Sequence, residues 1–416
     1  MAGHSRTTQA IDLPSNRRIA AIHESERESR AEANGMNLAR FITLLALAQA
    51  LAGIRIISRL ARTARGERIA VSEAPAPGER VTVLVPVLNE RARLGPCLAS
   101  LIAQPAEVVE ILVVDGGSTD GTQDLISTFS ARDHRIQIVN ASPIPRNWNG
   151  KAHGLQVGLD RADPRSAWIL TVDADVRAAP ALVLSLLAHA LKTEAATVSI
   201  ATSQQLSGAA EGIVHPALLT TLVYRFGIPG HVTRRVAEVQ ANGQCALYRR
   251  TPLERSGGFA AARASVSEDV TLARALASNG YAVGFHESDG LASVAMYSSW
   301  GDAWRNWTRS LPLRDRYSGR AGWVGLIQLA LAQALPLPML LVLRRSGPRP
   351  RVALFINCAL LLVRLGVLAG TARAYIWRPW TYWLSPLADL PVAVQLWRNA
   401  LRRDHVWRGQ SLVRGD

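Results

Sequence analysis

Hydrophobic and polar positions divide the chain into blocks of different texture. Residues 1–37 are polar, with a mixed-charge stretch from Arg17 to Glu32 and no apolar run after a basic start, which predicts a weakly helical tail rather than a secretory signal. Leu38 to Ile57 is apolar, with Arg40 and Arg55 near its ends. About 20 residues match a bilayer core of about 30 Å, so 38–60 is expected to be a transmembrane or interfacial helix. The run free of charge, Phe41 to Ile54, is only 14 residues long, and this keeps the interfacial alternative open. A Pro/Gly linker at Ala74–Gly78 follows.

From Arg80 to about Leu291, short β-rich runs alternate with helical stretches. Val81–Val85, Ile111–Val114, Ile136–Val139, Trp168–Val172 and Thr197–Ile200 read as strands buried on both faces. Arg91–Ala103, Gly121–Ser130, His153–Ala162 and Pro180–Lys192 read as the helices between them, the last with proline in its first turn. This rhythm predicts an α/β domain over 79–310 with a mostly parallel sheet, whose ligands sit at the carboxyl ends of the strands. The remainder, 311–416, reads as a membrane region. Trp323–Leu343 is 21 residues without charge, interrupted by Pro336 and Pro338. Val352–Thr371 carries Arg364, and an interfacial stretch is expected over 380–397. Trp377, Trp380, Tyr382 and Trp383 suit an aromatic belt.

Charge sharpens this picture. The 416 residues carry 47 Lys+Arg against 32 Asp+Glu, a net charge of +15, yet only 19% are charged, below the roughly 25% of ordinary soluble proteins. That combination excludes a disordered polar chain, argues against a ribosomal or histone-like protein, and points to a membrane protein with basic flanks. The excess clusters beside apolar segments, at Arg55–Arg68, Arg344–Arg351 and Arg398–Arg403. A basic nucleic-acid-binding protein is the remote alternative, without any supporting motif, and no nucleic-acid partner is expected. Arg55–Arg68 reads as a cytosolic flank, placing a multi-pass protein in the cell's inner (plasma) membrane with its α/β domain facing the cytoplasm. The Arg344–Arg351 cluster conflicts with that rule if 323–343 spans, unless the segment is re-entrant. Cys97, Cys245 and Cys358 support neither a disulfide framework nor a zinc site.

Four acidic motifs carry the candidate chemistry: Pro86-Val-Leu-Asn89-Glu90, Asp115-Gly-Gly-Ser-Thr-Asp120, Asp173-Ala-Asp175 and Ser267-Glu268-Asp269. Each alone has an ordinary reading, as a turn, a chance DxD or a helix cap. Two carboxylates one residue apart at a strand end offer hard oxygen ligands to Mg²⁺ or Mn²⁺, ions shared with substrate phosphates. Such an ion neutralises charge on a departing diphosphate. Asp269 suits acceptance of a proton from an attacking hydroxyl. Asp115, followed by two glycines, suits hydrogen bonding to a base or ribose. Lys151 faces either a phosphate or solvent.

Together, PVLNE, DGGSTDGT, WNGKAHGL, DAD, ANGQCALYRR…GGF and SED resemble the family 2 glycosyltransferases with the GT-A fold, over about residues 80–310. The flanking membrane segments, with Trp383-Leu-Ser-Pro386-Leu-Ala-Asp389 and Trp407-Arg-Gly, are similar to lipid-modifying members: carotenoid- and hopanoid-associated and ceramide-type enzymes. The resemblance implies a donor side of Pro86, Asn89, Glu90, Asp115, Lys151 and Asp173, with Asp115 on the uracil–ribose portion of a nucleotide sugar. It implies Asp173 and Asp175 as metal ligands and Asp269 as general base. Gly243, Gln244, Glu268, Arg305 and Arg309 fall on the acceptor or diphosphate side. The implied reaction is one inverting transfer of a sugar, with a UDP-sugar such as UDP-glucose as the expected donor. The expected acceptor is a hydroxyl of a carotenoid or other isoprenoid lipid, with ceramide, glycerolipid and polyprenyl phosphate open as alternatives. One departure stands out: where processive members carry Gln-x-x-Arg-Trp, this chain has Asn306-Trp-Thr-Arg309-Ser310, which argues against polymer synthesis.

Overall fold

The computed structural model describes residues 14–295, 300–345, 351–402, 404–407 and 410–413. The first 13 residues of the polar tail, Arg349 and Gly347 beside the C-terminal apolar segments, Arg403, and the Arg408-Gly409 pair after Trp407 lie outside them. The first helix, α1, runs unbroken over Pro14–Thr63, so it starts well before the apolar boundary at Leu38. Its polar first half is rich in Ala, Glu and Arg, good helix formers that continue the same helix across the change in polarity.

Val81–Val87 (β1), Val108–Asp115 (β2), Ile136–Asn140 (β3) and Trp168–Val172 (β4) alternate with Arg91–Ile102 (α2), Thr122–Ser130 (α3) and Gly150–Arg161 (α4). Val176–Ala178 (β5), Leu182–Thr193 (α5), Thr197–Ala201 (β6), Ser203–Gln205 (β7) and Ala209–Phe226 (α6) follow. His231–Thr233 (β8), Cys245–Arg249 (β9), Arg250–Arg255 (α7), Glu268–Ser278 (α8), Val283–Glu287 (β10) and Ala292–Val294 (β11) close the α/β part.

The main sheet has the order β3-β2-β1-β4-β9-β6-β10-β8. β1, β2, β3 and β4 pair in parallel, as do β6 and β10, but β9 runs antiparallel between β4 and β6. That inserted strand was not legible, because CALYR has no long β-branched run. β3 also departs from expectation: it is an edge strand with Gln137 and Ile138 exposed rather than buried on both faces. Pro180 lies just outside α5, which starts at Leu182. One apolar layer joins α2, α3 and α5 to one face of the sheet, and another joins α4 and α8 to the opposite face. The α4 backbone comes close at Gly158, where a Cβ would meet Leu84 and Val114 at 3.0 Å.

Trp300–Ser310 (α9), Gly319–Leu329 (α10), Pro336–Arg345 (α11) and Arg351–Thr371 (α12) form the C-terminal region with Tyr375–Trp377 (β12), Asp389–Leu401 (α13), Asp404–Trp407 (β13) and Gln410–Val413 (β14). Among the described residues, two helices are long and apolar enough to cross a membrane, Asn37–Thr63 and Arg351–Ala374, or three spans if the bent pair over 319–344 counts as one. The 323–343 segment is interrupted at Pro336 as expected, lying in Gly319–Ala334 and Pro336–Arg344, bent by 41° ahead of the proline that removes a helical N–H, as a broken span or a re-entrant loop would be. Leu38, Phe41, Leu44, Leu47, Leu51, Ile54 and Ile57 recur every three or four residues as an exposed apolar stripe on α1. On another face of α1, Gln49 and Asn357 of α12 exchange amide hydrogen bonds of 2.9 and 3.2 Å. Arg364 does not interrupt α12: it is 1% exposed and bonded to Asp389 at 2.8 Å. Tyr382 leaves the expected aromatic belt, because it is fully buried and its hydroxyl donates to the Leu368 carbonyl, whereas Trp377, Trp380 and Trp383 are exposed. A smaller sheet of order β12-β7-β11-β5 ties this region to the α/β domain.

Candidate active site

The carboxyl ends of β1 and β4 open onto a cavity of about 940 Å³. Its formation starts with local capping. Asn149 caps α4, its side-chain oxygen accepting the Lys151 and Ala152 N–H groups, while its amide donates to the Ser265 carbonyl at 2.8 Å. This holds Lys151 in the first turn of α4, pointing inward. Its Nζ lies 2.7 Å from Asp173 Oδ1 and 3.1 Å from Glu268 Oε1, and donates to the Gly243 carbonyl at 3.0 Å. The solvent-facing alternative for Lys151 is therefore overturned.

The antiparallel β4–β9 pairing brings the acidic end of β4 beside the loop leading into β9, where Asp173 N–H donates to the Gln244 carbonyl. Asp269, at the start of α8, accepts the Gly243 N–H at 2.7 Å and the Val270 N–H at 2.8 Å. Gly243 has no side chain because there is no room for one: a Cβ would stand 3.0 Å from both Asp269 Cβ and Lys151 Nζ. Ser267 is not the ordinary side-chain cap: its hydroxyl donates to the Ser310 carbonyl at 3.0 Å, fastening α8 to α9. Gln244 accepts from Thr202 and Asn242.

Burial sets the protonation of this cluster. Burial opposes the Lys151 charge, but Asp173, then Glu268 and Asp269, outweigh it and raise its pKa. Burial, with the nearby Glu268 and Glu90 carboxylates, raises Asp173 despite the opposing Lys151 ammonium. Burial, reinforced by Asp173, pushes Asp175 up to about 7, and burial with Glu268 pushes Asp269 up to about 6.

The other expected site residues divide. Pro86 and Glu90 line the cavity, with Glu90 Oε2 2.7 Å from Arg93, which also lies 3.5 Å from Asp175. Arg309 lines it too, whereas Arg305 is exposed and Asn89 stands outside, its side chain accepting the Thr119 N–H. Asp115 is 1% exposed and turned into its own loop, accepting from Ser118 and Gln123, so its neighbours Val114 and Gly116 form the wall in its place. Arg93, Asn149, Asn242 and Thr202 went unnoticed; the Glu90–Arg93 spacing and the residue before α4 were the available signals for two of them. His215 and Trp307 also line the cavity, their ring centroids 4.3 Å apart, and His215 bonds Tyr375 Oη at 2.9 Å.

Five carboxylates (Glu90, Asp173, Asp175, Glu268 and Asp269) against three cations (Arg93, Lys151 and Arg309) line the cavity. This negative excess and the hard oxygen donors of Asp173 and Asp175 fit a divalent cation. No three His, Cys, Asp or Glu side chains converge as a complete cage among the described residues, so phosphates and water would supply its remaining ligands.

Residues 82–257 match the family model described as glycosyl transferase family 2. This chain carries a family 2 glycosyltransferase domain. The domain is similar to the glycosyltransferase GlyA of Streptococcus pneumoniae, 45% identical over 61 residues, 15% of this chain and 9% of that protein. It also resembles the 4,4'-diaponeurosporenoate glycosyltransferase of Staphylococcus aureus, 32% identical over 96 residues, 23% of this chain and 24% of the relative. The chain thus spans less than a third of the length of these curated relatives. The mannosyltransferase PcManGT of Pyrobaculum calidifontis, solved with GDP-Man and Mn²⁺, superposes at a TM-score of 0.53 with 20% identity, covering 84% of this chain and 99% of that one. The shared architecture is the GT-A fold.

Proposed function

We propose that the family 2 domain transfers one sugar, with inversion, from a nucleotide-diphosphate sugar to a hydroxyl of a membrane lipid. The observation that carries this reading is Lys151, which joins the DxD carboxylate Asp173 to the Glu268–Asp269 pair across one cavity. In this reading Asp173 and Asp175 hold a divalent cation, with Glu90 and Arg93 beside them. The cation would neutralise charge on the departing diphosphate. Asp269 takes the proton as the acceptor oxygen bonds to the anomeric carbon and the carbon–phosphate oxygen bond breaks, the electron pair leaving with the nucleotide diphosphate. Its burial suits this, because a carboxylate titrating near 6 is a stronger base than one at the usual value of about 4 and is still ionised at neutral pH.

The lipid acceptor rests on the exposed apolar stripe of α1, on the two membrane-length helices and on β12, which pairs the region after α12 directly to the α/β domain. An isoprenoid or carotenoid acceptor is favoured within that class by the likeness to the diaponeurosporenoate enzyme. A UDP-sugar donor, and an inner-membrane location with the α/β domain on the cytoplasmic side, complete the proposal. The test is incubation of membranes containing the full chain with labelled UDP-sugars and mass analysis of extracted lipids. A glycosylated isoprenoid supports the reading; a labelled sphingolipid, glycerolipid or polyprenyl phosphate redirects the acceptor; no labelled lipid with any nucleotide sugar overturns lipid transfer.

A further inference from the structure

A second cavity, of about 690 Å³, lies where the apolar helices meet the α/β domain. The C-terminal ends of α1 and α6, part of α8 and the first turns of α10 wall it. Neither Lys151 nor Asp173, Asp175 or Asp269 lines it, and it adjoins the transfer-site cavity through the shared walls of Phe226, Gln240, Phe285 and Leu313.

Its chemistry is one-sided. Arg59, Arg62, Arg225, Arg235 and Arg274 line it, and Glu238 is the one carboxylate among the lining residues. Glu238 is taken by Arg235 at 3.2 Å. Arg225, 8% exposed, donates to the carbonyls of Thr221, Leu311 and Pro312, which orient its guanidinium without neutralising it. Burial, and secondarily the neighbouring Arg274, draw its pKa down to about 9. Arg274 is 4% exposed; one nitrogen pairs with Asp315 at 3.0 Å, but its Nε finds no hydrogen-bond partner among the described residues. Arg59 donates to the Tyr224 carbonyl. Arg225 is buried with no counter-ion among the described residues, a costly arrangement that an anion with several oxygens in the cavity would offset.

Position selects the kind of anion. Arg59 and Arg62 stand at one end of the membrane-length helix Asn37–Thr63, the level at which cations meet headgroups. Ile54 and Ile57 on α1 and Val324 and Ile327 on α10 are exposed apolar residues of the two helices that wall the cavity. We propose that this cavity binds the phosphate-bearing headgroup of an anionic membrane lipid, whose chains run along the exposed faces of α1 and α10.

The test uses the full chain in neutral detergent. Native mass spectrometry with phosphatidylglycerol and, separately, phosphatidylcholine reads retained lipid. The wild type is expected to retain phosphatidylglycerol preferentially. Arg59→Gln with Arg62→Gln weakens that binding about 30-fold, and Arg62→Gln alone about fivefold, as loss of cations near an anionic headgroup requires. Arg62 is exposed, so the single variant keeps the test valid should the double variant fold poorly. Arg65→Gln with Arg398→Gln removes two exposed arginines outside the cavity and leaves binding unchanged. Equal retention of the two lipids, or equal losses in the cavity and control variants, overturns the proposal. So does a thermal shift with inorganic phosphate alone that matches the lipid's and vanishes in Arg62→Gln, which would assign the cavity to a soluble phosphate.

Discussion

Lys151 Nζ sits 2.7 Å from Asp173 Oδ1, one carboxylate of a cluster in which this ammonium also meets Glu268. Replacing Lys151 by Met leaves two half-buried acids without their cation, a defect smaller than the roughly 3–5 kcal/mol of a fully buried pair because the cavity admits solvent to them. The expected result is a melting temperature lowered by several degrees together with loss of sugar transfer. An unchanged melting curve would show that the cluster is not held by this ion pair.

Asp269 accepts the Gly243 and Val270 N–H groups and titrates near 6. A base must be unprotonated, so kcat/KM is expected to be flat above that value and to fall about tenfold per pH unit below it. Asp269→Asn should cut turnover by at least about 100-fold while nucleotide binding, followed by titration calorimetry, survives. Turnover within a few-fold of wild type would remove Asp269 from the base role.

Gly243→Ala forces a methyl group against Asp269 and Lys151 at 3.0 Å. Overpacking of this kind costs about 1–3 kcal/mol. Because the displaced groups are those assigned to the chemistry, kcat should fall more than stability does. Steady-state kinetics beside a thermal melt separate the two effects.

Chelation of divalent ions is expected to stop transfer, and Mg²⁺ or Mn²⁺ to restore it. Asp175→Asn should raise the metal concentration needed for half-maximal activity, since it removes one of two candidate carboxylate ligands. Activity undiminished by exhaustive chelation would exclude the metal role of the Asp173–Asp175 pair.

Arg364 and Asp389 form an ion pair in which the two side chains are 1% and 4% exposed. Arg364→Met alone should destabilise the helical region by about 3–5 kcal/mol, while Arg364→Met with Asp389→Leu should recover most of that loss. The double-mutant cycle in detergent melts measures the coupling, and additive losses would show that the pair does not act as a unit.

The parallel half of the sheet was legible because β1, β2 and β4 are strongly apolar runs with acidic residues at or within three residues of their carboxyl ends. Those same ends located Glu90, Asp173 and Asp175 on the cavity, since ligands collect at strand termini. Arg305 and Asp115 behaved differently, one exposed and one turned into its own loop. Residue type alone does not state which way a side chain faces.

The sequence by itself determined the alternating α/β pattern, the order of the acidic motifs, the membrane-length apolar segments and the basic flanks. These are local properties, written in hydrophobic period and charge. Only the tertiary structure decided that β9 runs antiparallel into the sheet, that Lys151 joins two acidic motifs far apart in the chain, and that Arg364 is buried against Asp389. It also gathered arginines from α1, α6 and α8 around one cavity. Such pairings depend on desolvation and on contacts between distant segments, and neither is encoded at a single position.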